Sequence, residues 1–406
     1  MYINRHIKNV IDEYTKDFPV VMITGPRQIG KSTVLMTAYP NIPYQTLDDT
    51  FVLEQMHVDG KGYIKSLGTP VIFDEIQRAP KSFLDFKLIV DSNRKPGMYI
   101  FTGSQKLELM KGASESLAGR VGVLNMLGLS NREIYNDCFY QPFLPNTEYF
   151  SERKPAFHFN NKELWKRIHR GSMPELYKNA GMNWERYYSS YIQTYIDRDI
   201  NELAQVGNKI AFSQFMTALA SRTGELLNLT SLANDVGIDQ RTAKSWLSIL
   251  EATNMIYILK PFSLNVTKRV VKTPKVYFTD TGLVCYLCRW LTTDTAERGA
   301  MSGALYETFV INEIMKSYYN VGKDLDLYFY RDSNGAEVDL LFYQNGTLYP
   351  IEIKKTSSPN IKDIKHFKTL ETAFSNIEIG EGGVICNYEK LAYLSENNKV
   401  IPIEYI

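Results

Sequence analysis

Eight residues near the start of the chain, Gly25-Pro-Arg-Gln-Ile-Gly-Lys31-Ser32, constrain its fold more than any other feature. They fit GxxxxGK[ST] and stand between a continuous apolar run, Phe18 to Ile23, and the start of a helical segment. Apolar runs of roughly four to eight residues suit strands buried on both faces of a parallel sheet. A glycine-rich loop leaving such a strand turns its backbone N–H groups inward, and the following helix N-terminus adds partial positive charge. Gly25, Pro26, Arg27, Gln28, Ile29, Gly30, Lys31, Ser32 and Thr33 are therefore the expected cradle for the phosphates of ATP. Lys31 is expected to reach the β- and γ-phosphates, and the Ser32 hydroxyl to hold Mg²⁺.

The other half of such a site is Val71-Ile72-Phe73-Asp74-Glu75. An apolar strand ending in Asp74 places a carboxylate beside the metal, and Glu75 stands where a general base can polarise the attacking water. Phe101-Thr102-Gly103-Ser104 ends another strand with hydroxyls, so Thr102 or Ser104 is a candidate γ-phosphate sensor; the bland reading is a strand-end turn. Arg120 lies just beyond, as an arginine finger for a neighbouring subunit or as half of a structural salt bridge.

TGPRQIGKST, VIFDEIQRAP, FTGSQ and SLAGRVGVLNMLGLS together resemble the bacterial and archaeal AAA-type ATPases that carry a C-terminal domain of unknown function. The likeness extends over most of the chain, with GSMPELY (171–177) and YIQTYIDRDI (191–200) resembling a connecting helical segment. It implies ATP hydrolysis, an AAA-type core and a C-terminal fold like that of restriction endonucleases. It implies no biological role.

At 406 residues the chain is expected to hold several domains of about 100–200 residues each. The expected division is an α/β AAA-type ATPase domain over 1–135, a helical connector over 136–205, a winged helix over 206–280 and an endonuclease-like α/β domain over 281–406. Four buried strands are expected in the first: Phe18 to Ile23, Tyr44 to Leu47, Val71 to Phe73 and Met98 to Thr102. A net charge of +1 predicts no global attraction to polyanions, so any nucleic-acid surface must be local. No secretory signal or membrane-spanning run is evident, which makes a cytoplasmic protein with no membrane partner the expectation. Cys285 and Cys288 sit in apolar text that reads as a buried helix face, and the scattered histidines suggest no metal site.

Leu229 to Asp239 reads as helix, turn and helix start, with Thr230 and Asp239 as caps and Gly237 closing the turn. The second helix would bury Ala243, Trp246, Leu247 and Leu250 and leave Gln240, Arg241 and Lys244 outward, as a recognition helix requires. Lys260, Lys268, Arg269, Lys272 and Lys275 would lie on a wing against DNA phosphates. Winged helices also dock proteins, so DNA and a protein partner both stay open.

Farther on, Asp339 is separated by twelve residues from Glu352-Ile353-Lys354, the D…ExK arrangement of PD-(D/E)xK nucleases. Period-2 geometry puts Glu352 and Lys354 on one face of a strand, facing Asp339. Two carboxylates could bind Mg²⁺ while Lys354 activates water. Glu307 on the preceding helix is a candidate fourth member; Glu313 falls about 240° further round. The superfamily includes inactive members, so the alternatives are an ATP-regulated nuclease and an ATP-driven switch that presents these domains to a protein partner. An oligomer is required only if the arginine finger acts between subunits.

Overall fold

The computed structural model describes residues 2–104, 116–196, 208–264 and 273–406. Its first layer is a five-stranded sheet of β1 (Val20–Thr24), β2 (Tyr44–Thr46), β3 (Val71–Asp74), β4 (Tyr99–Gly103) and β5 (Val121–Asn125), ordered β2-β3-β4-β1-β5. Every pairing is parallel. The four expected strands are present within a residue or two, though β2, at the sheet edge, is half-buried and not buried as expected, and the architecture is the α/β one expected. β1, β3 and β4 read as uninterrupted apolar text because both faces are covered. Val20, Met22, Phe73 and Phe101 pack with Phe86 of helix Ser82–Ser92 on one side. Val21, Ile23, Ile72 and Ile100 pack into a core shared with the rest of the molecule on the other.

Sequence reading missed β5. Its burial alternates, and it contains Gly122, a residue that weakens a strand. The glycine is required by close approach: a Cβ there would lie 2.5 Å from the Tyr14 ring and 2.7 Å from the Phe18 ring. Helix Ile7–Asp17 and the residue after it therefore press directly on the sheet edge.

Residues 209–261 form helices Lys209–Ala220, Leu229–Val236 and Gln240–Ala252, then β6 (Ile256–Pro261). Asp239 caps the third helix by accepting from Arg241 and Thr242 N–H, and Gly237 ends the second with a left-handed φ of 72°. One cap differs from expectation. Asn228, not Thr230, accepts the Ser231 N–H, so the helix begins earlier and Thr230 lies inside its first turn. Asn228 stands one residue before the helix and caps it from there, which leaves Thr230 a position inside the helix instead of its cap.

β7 (Lys275–Phe278) pairs antiparallel with β6, and β6 pairs parallel with β8 (Leu327–Arg331) through Lys260 and Pro261. From there the sheet continues through β9 (Glu337–Gln344) and β10 (Thr347–Lys354), with β11 (Glu378–Ile379) beside β10. β12 (Gly382–Cys386), β13 (Ala392–Ser395) and β14 (Asn398–Pro402) complete nine strands. The hairpin of the 206–280 segment thus shares backbone hydrogen bonds with the C-terminal strands. Helix Ser302–Tyr319 covers this sheet and is buried over most of its length. Cys285 is buried on helix Thr281–Leu287, as its apolar setting suggested. Among the described residues no helix is long and apolar enough to cross a membrane.

Candidate functional site

In open parallel sheets ligands bind beyond the carboxyl ends of the strands. Here the register aligns Thr24 with Gly103, and Thr46 with Asp74, so the loops after β1, β3 and β4 meet at one edge. The loop after β1 curls through unusual backbone: Gln28 at φ 60° and Gly30 at φ 89° precede helix Lys31–Ala38. A Cβ on Gly25 would lie 2.0 Å from the Met126 carbonyl oxygen, which only glycine avoids. Lys31 Nζ donates to the Gly25 and Pro26 carbonyls at 2.9 and 2.8 Å, folded onto its own loop and buried.

Ser32 Oγ donates to Asp74 Oδ1 at 2.8 Å, and Thr102 Oγ1 donates to the same oxygen. The two residues expected at the metal are therefore in contact, as are the strand-end carboxylate and the hydroxyl of β4. Glu75 follows Asp74 with a left-handed φ of 55°, lines the cleft and accepts from Gln77 Nε2. Ser104 is buried, and its Oγ has no hydrogen-bond partner among the described residues. Such an orphan costs about 1–3 kcal/mol unless something supplies a partner, and a phosphate oxygen or its water would do so. Ser32 and Asp74 are hard oxygen donors at the mouth of a phosphate-binding loop, which fits Mg²⁺ bound jointly with phosphates.

Tyr44, expected as a strand residue but not as part of the site, is the first residue of β2 and interacts with Asp74. Burial, then that interaction, pushes the Tyr44 phenol up. Arg5 was also missed. Its guanidinium donates to the Ile29 carbonyl at 2.7 Å, to the Leu127 carbonyl at 2.7 Å and to Glu133 Oε1 at 2.9 Å. It ties the phosphate loop to the segment after β5. Arg5 lies far from the motif in sequence and in a stretch without a pattern, so no local signal marks it.

The loop opens on a cleft of about 690 Å³ whose walls come from three parts of the chain. Arg27 through Thr33 form the floor, Tyr2, Ile3 and Arg5 one side, and Pro174, Glu175, Lys178 and Thr194 another. Tyr187 OH donates to Gln28 Oε1 at 3.0 Å, a direct bond from helix Trp184–Tyr195 to the phosphate loop.

Arg120 does not line this cleft. It forms a two-pronged ion pair with Asp91, at 2.5 and 2.9 Å, the structural role weighed beside the finger. On helix Gln240–Ala252, Gln240, Arg241 and Lys244 are exposed, while Ala243, Trp246 and Leu250 are buried. Lys268, Arg269 and Lys272 lie outside the described residues.

In the C-terminal sheet the antiparallel pair β9 and β10 brings Asp339, Glu352 and Lys354 together. Lys354 Nζ is 2.6 Å from Glu352 Oε1 and 3.6 Å from Asp339 Oδ2. Asp339 Oδ2 also accepts the Ile353 N–H at 2.9 Å. Glu307 joins from helix Ser302–Tyr319, but its Oε1 accepts from Tyr277 OH at 2.5 Å and faces Lys275 Nζ at 3.4 Å. Glu313 turns away to Arg167 and Lys316. Burial, then the neighbouring Asp339, pushes the Glu352 carboxyl up. Glu307 also rises, because burial outweighs the attraction of Lys275. Lys275, expected on the wing against phosphates, is instead buried and paired with Glu307 and Glu337. Burial would lower its ammonium, yet Glu307, Asp339 and Glu337 raise it overall. Among the described residues no three His, Cys, Asp or Glu side chains are placed to hold a metal ion.

Three family models match successive parts of the chain: an AAA domain over residues 17–135, a domain of unknown function (DUF8612) over 161–294, and a domain of unknown function (DUF4143) over 302–406. With the loop geometry above, residues 17–135 are an AAA-type P-loop ATPase domain. Two relatives are the uncharacterized proteins Rv2008c of Mycobacterium tuberculosis and Mb2031c of Mycobacterium bovis. Each is 28% identical over 392 residues, which span 96% of this chain and 81% of the relative. Among solved structures, the Walker-type ATPase PABY2304 of Pyrococcus abyssi aligns with a TM-score of 0.43 at 14% identity, over 69% of this chain and 94% of that one. A signal transduction ATPase with numerous domains from Pyrococcus horikoshii aligns with a TM-score of 0.28 at 14% identity, over 79% of this chain and 48% of that one.

Proposed function

We propose that this chain binds and hydrolyses ATP with Mg²⁺ and passes its nucleotide state to the segment that follows the ATPase domain. The observation that carries this reading is the shared cleft. Pro174, Glu175, Lys178 and Thr194 wall the space above the phosphate loop, and Tyr187 bonds to the loop itself. Ser32 and Asp74 would hold Mg²⁺, which neutralises charge on the phosphate oxygens as the terminal bond breaks. Lys31 leaves the Gly25 and Pro26 carbonyls for the phosphates, and Glu75 accepts the proton of the attacking water. Thr102, through Asp74, and Ser104 sense the γ-phosphate. Both tests use the purified chain. Lys31→Ala should abolish turnover, whereas Glu75→Gln should retain ATP and cleave it roughly 10²–10⁴-fold more slowly. Unchanged turnover in either variant sinks the catalytic assignment.

In this reading 1–135 is the motor, 136–205 the connector, 206–280 a winged helix and 281–406 an endonuclease-like domain, in a cytoplasmic protein. DNA is the partner favoured by the exposed Gln240, Arg241 and Lys244 on a helix that presents an unburied face. A protein partner docking on the same helix is the alternative. Fluorescence anisotropy with duplex DNA at low salt separates them. Binding lost on reversing Arg241 and Lys244 supports DNA, and no binding in any nucleotide state supports the protein-docking switch.

A further inference from the structure

We infer that Lys275 takes the place of a divalent cation in the carboxylate cluster of the C-terminal sheet, so that this domain is held shut as a metal-independent module. The residue comes from β7, a strand of the neighbouring hairpin, and not from the D…ExK motif. Its ammonium lies 2.7 Å from Glu337 Oε1 and 3.4 Å from Glu307 Oε1, with its side chain only 5% exposed. It also stands 5.5 Å from the centre of the Phe329 ring, whose face favours a cation.

The backbone beneath Lys275 is held on both sides. Leu259 of β6 is its partner on one edge and Leu226 bridges it on the other. Val276 donates to Glu225 O at 3.2 Å and accepts from Gly224 N at 2.7 Å. Gly224 has φ +84°, and a Cβ there would come within 3.8 Å of Glu307 Oε2. The chain therefore delivers Lys275 to Glu307 along a fixed path.

One oxygen of each of three carboxylates is already engaged. Glu307 Oε1 serves Tyr277 and Lys275, Glu352 Oε1 serves Lys354, and Asp339 Oδ2 serves the Ile353 N–H. Magnesium demands several oxygens at about 2.0–2.1 Å in near-octahedral array, and it competes poorly where ammonium groups already pair with the carboxylates. The D…ExK residues converge as a nuclease would require, paired through Lys354, and Lys275 from outside the motif extends the ion pairs to Glu307 and Glu337 beside them. The Lys275–Glu307 pair fastens the β6–β7 hairpin to helix Ser302–Tyr319, making the two segments one unit that an ATPase could move as a body.

The test titrates Mn²⁺ into the nucleotide-free chain and reads free Mn²⁺ by electron paramagnetic resonance. Wild type and Asp339→Asn share the phosphate loop, so a difference between them reports the C-terminal cluster alone. Equal Mn²⁺ stoichiometry is expected, as is no Asp339-dependent nicking of plasmid DNA in Mg²⁺ or Mn²⁺. Lys275→Met should gain one Mn²⁺ that a further Asp339→Asn removes. Loss of one Mn²⁺ from wild type on making Asp339→Asn would overturn the inference, as would plasmid cleavage abolished by that change. A folded Lys275→Met chain that gains no Mn²⁺ would overturn it too. The wild-type comparison stands even where Lys275→Met fails to fold.

Discussion

Replacing Arg5 by alanine strikes the fold and the nucleotide site at once. In the native chain burial pushes the Glu133 carboxyl up, but Arg5, then His6 and the Ser130 N–H, outweigh it and leave it lowered. Arg5→Ala removes the 2.9 Å ion pair and leaves a carboxylate with no solvent exposure of its side chain. Breaking one side of a buried pair costs about 3–5 kcal/mol. For a domain of this size roughly 3 °C is lost per kcal/mol, so the melting temperature should fall by roughly 9–15 °C. The pH dependence carries a sign. A lowered folded pKa stabilises above the unfolded carboxylate value of about 4.3, and that stability is lost as pH falls through the folded value. In Arg5→Ala burial acts with less opposition, so acid relieves the variant first. The gap between wild type and variant should therefore be largest near neutrality and shrink toward a pH of about 4.5. Differential scanning fluorimetry across that range measures it. A loss below about 2 °C at neutral pH, or a gap that widens in acid, would refute the reasoning. Freed from Arg5, the Ile29 carbonyl also loses its 2.7 Å bond, so ATP affinity should weaken alongside stability.

Other perturbations test single contacts. Gly25→Ala drives a methyl into the Met126 carbonyl and should eliminate nucleotide binding, read with a fluorescent ATP analogue; retained affinity would mean that the loop relaxes freely. Tyr187→Phe removes the bond to Gln28 and should weaken ATP binding roughly 2- to 13-fold, the worth of about 0.5–1.5 kcal/mol, without altering the fold. No change in affinity there would remove the direct link between loop and helix. Tyr44→Phe, which takes a hydroxyl from Asp74, should raise the Mg²⁺ concentration needed for half-maximal turnover; an unmoved Mg²⁺ profile would show that Asp74 does not depend on it.

What was legible in the sequence follows from how local each cause is. Phosphate loops need glycine where the backbone must turn or touch another carbonyl, and lysine and serine at the helix start, so the whole device lies in one short run. Asp74 and Glu75 were found because an apolar strand points at them. Arg5, Tyr44 and Tyr187 act on the same cleft but reach it from elements that the motif does not fix in sequence. Each looks like an ordinary polar residue until the chain folds. Thr230 shows the limit on a smaller scale: two residues near one helix start could each cap it, and the backbone selected Asn228.

The C-terminal sheet shows the same limit with a larger consequence. Spacing and strand period suffice to bring Asp339, Glu352 and Lys354 onto one face, because those three positions share a hairpin. The charge state of the cluster depends on what else enters it, and Lys275 enters from a strand 64 residues before Asp339. Two carboxylates and a lysine read from a motif imply net negative charge awaiting a metal. Lys275 adds a cation that the motif does not contain, and with it the nearest oxygens of Glu307, Glu337 and Glu352 are each paired with an ammonium group. A motif therefore predicts convergence of side chains, while the chemistry at the point of convergence is decided by the cation that arrives from outside it.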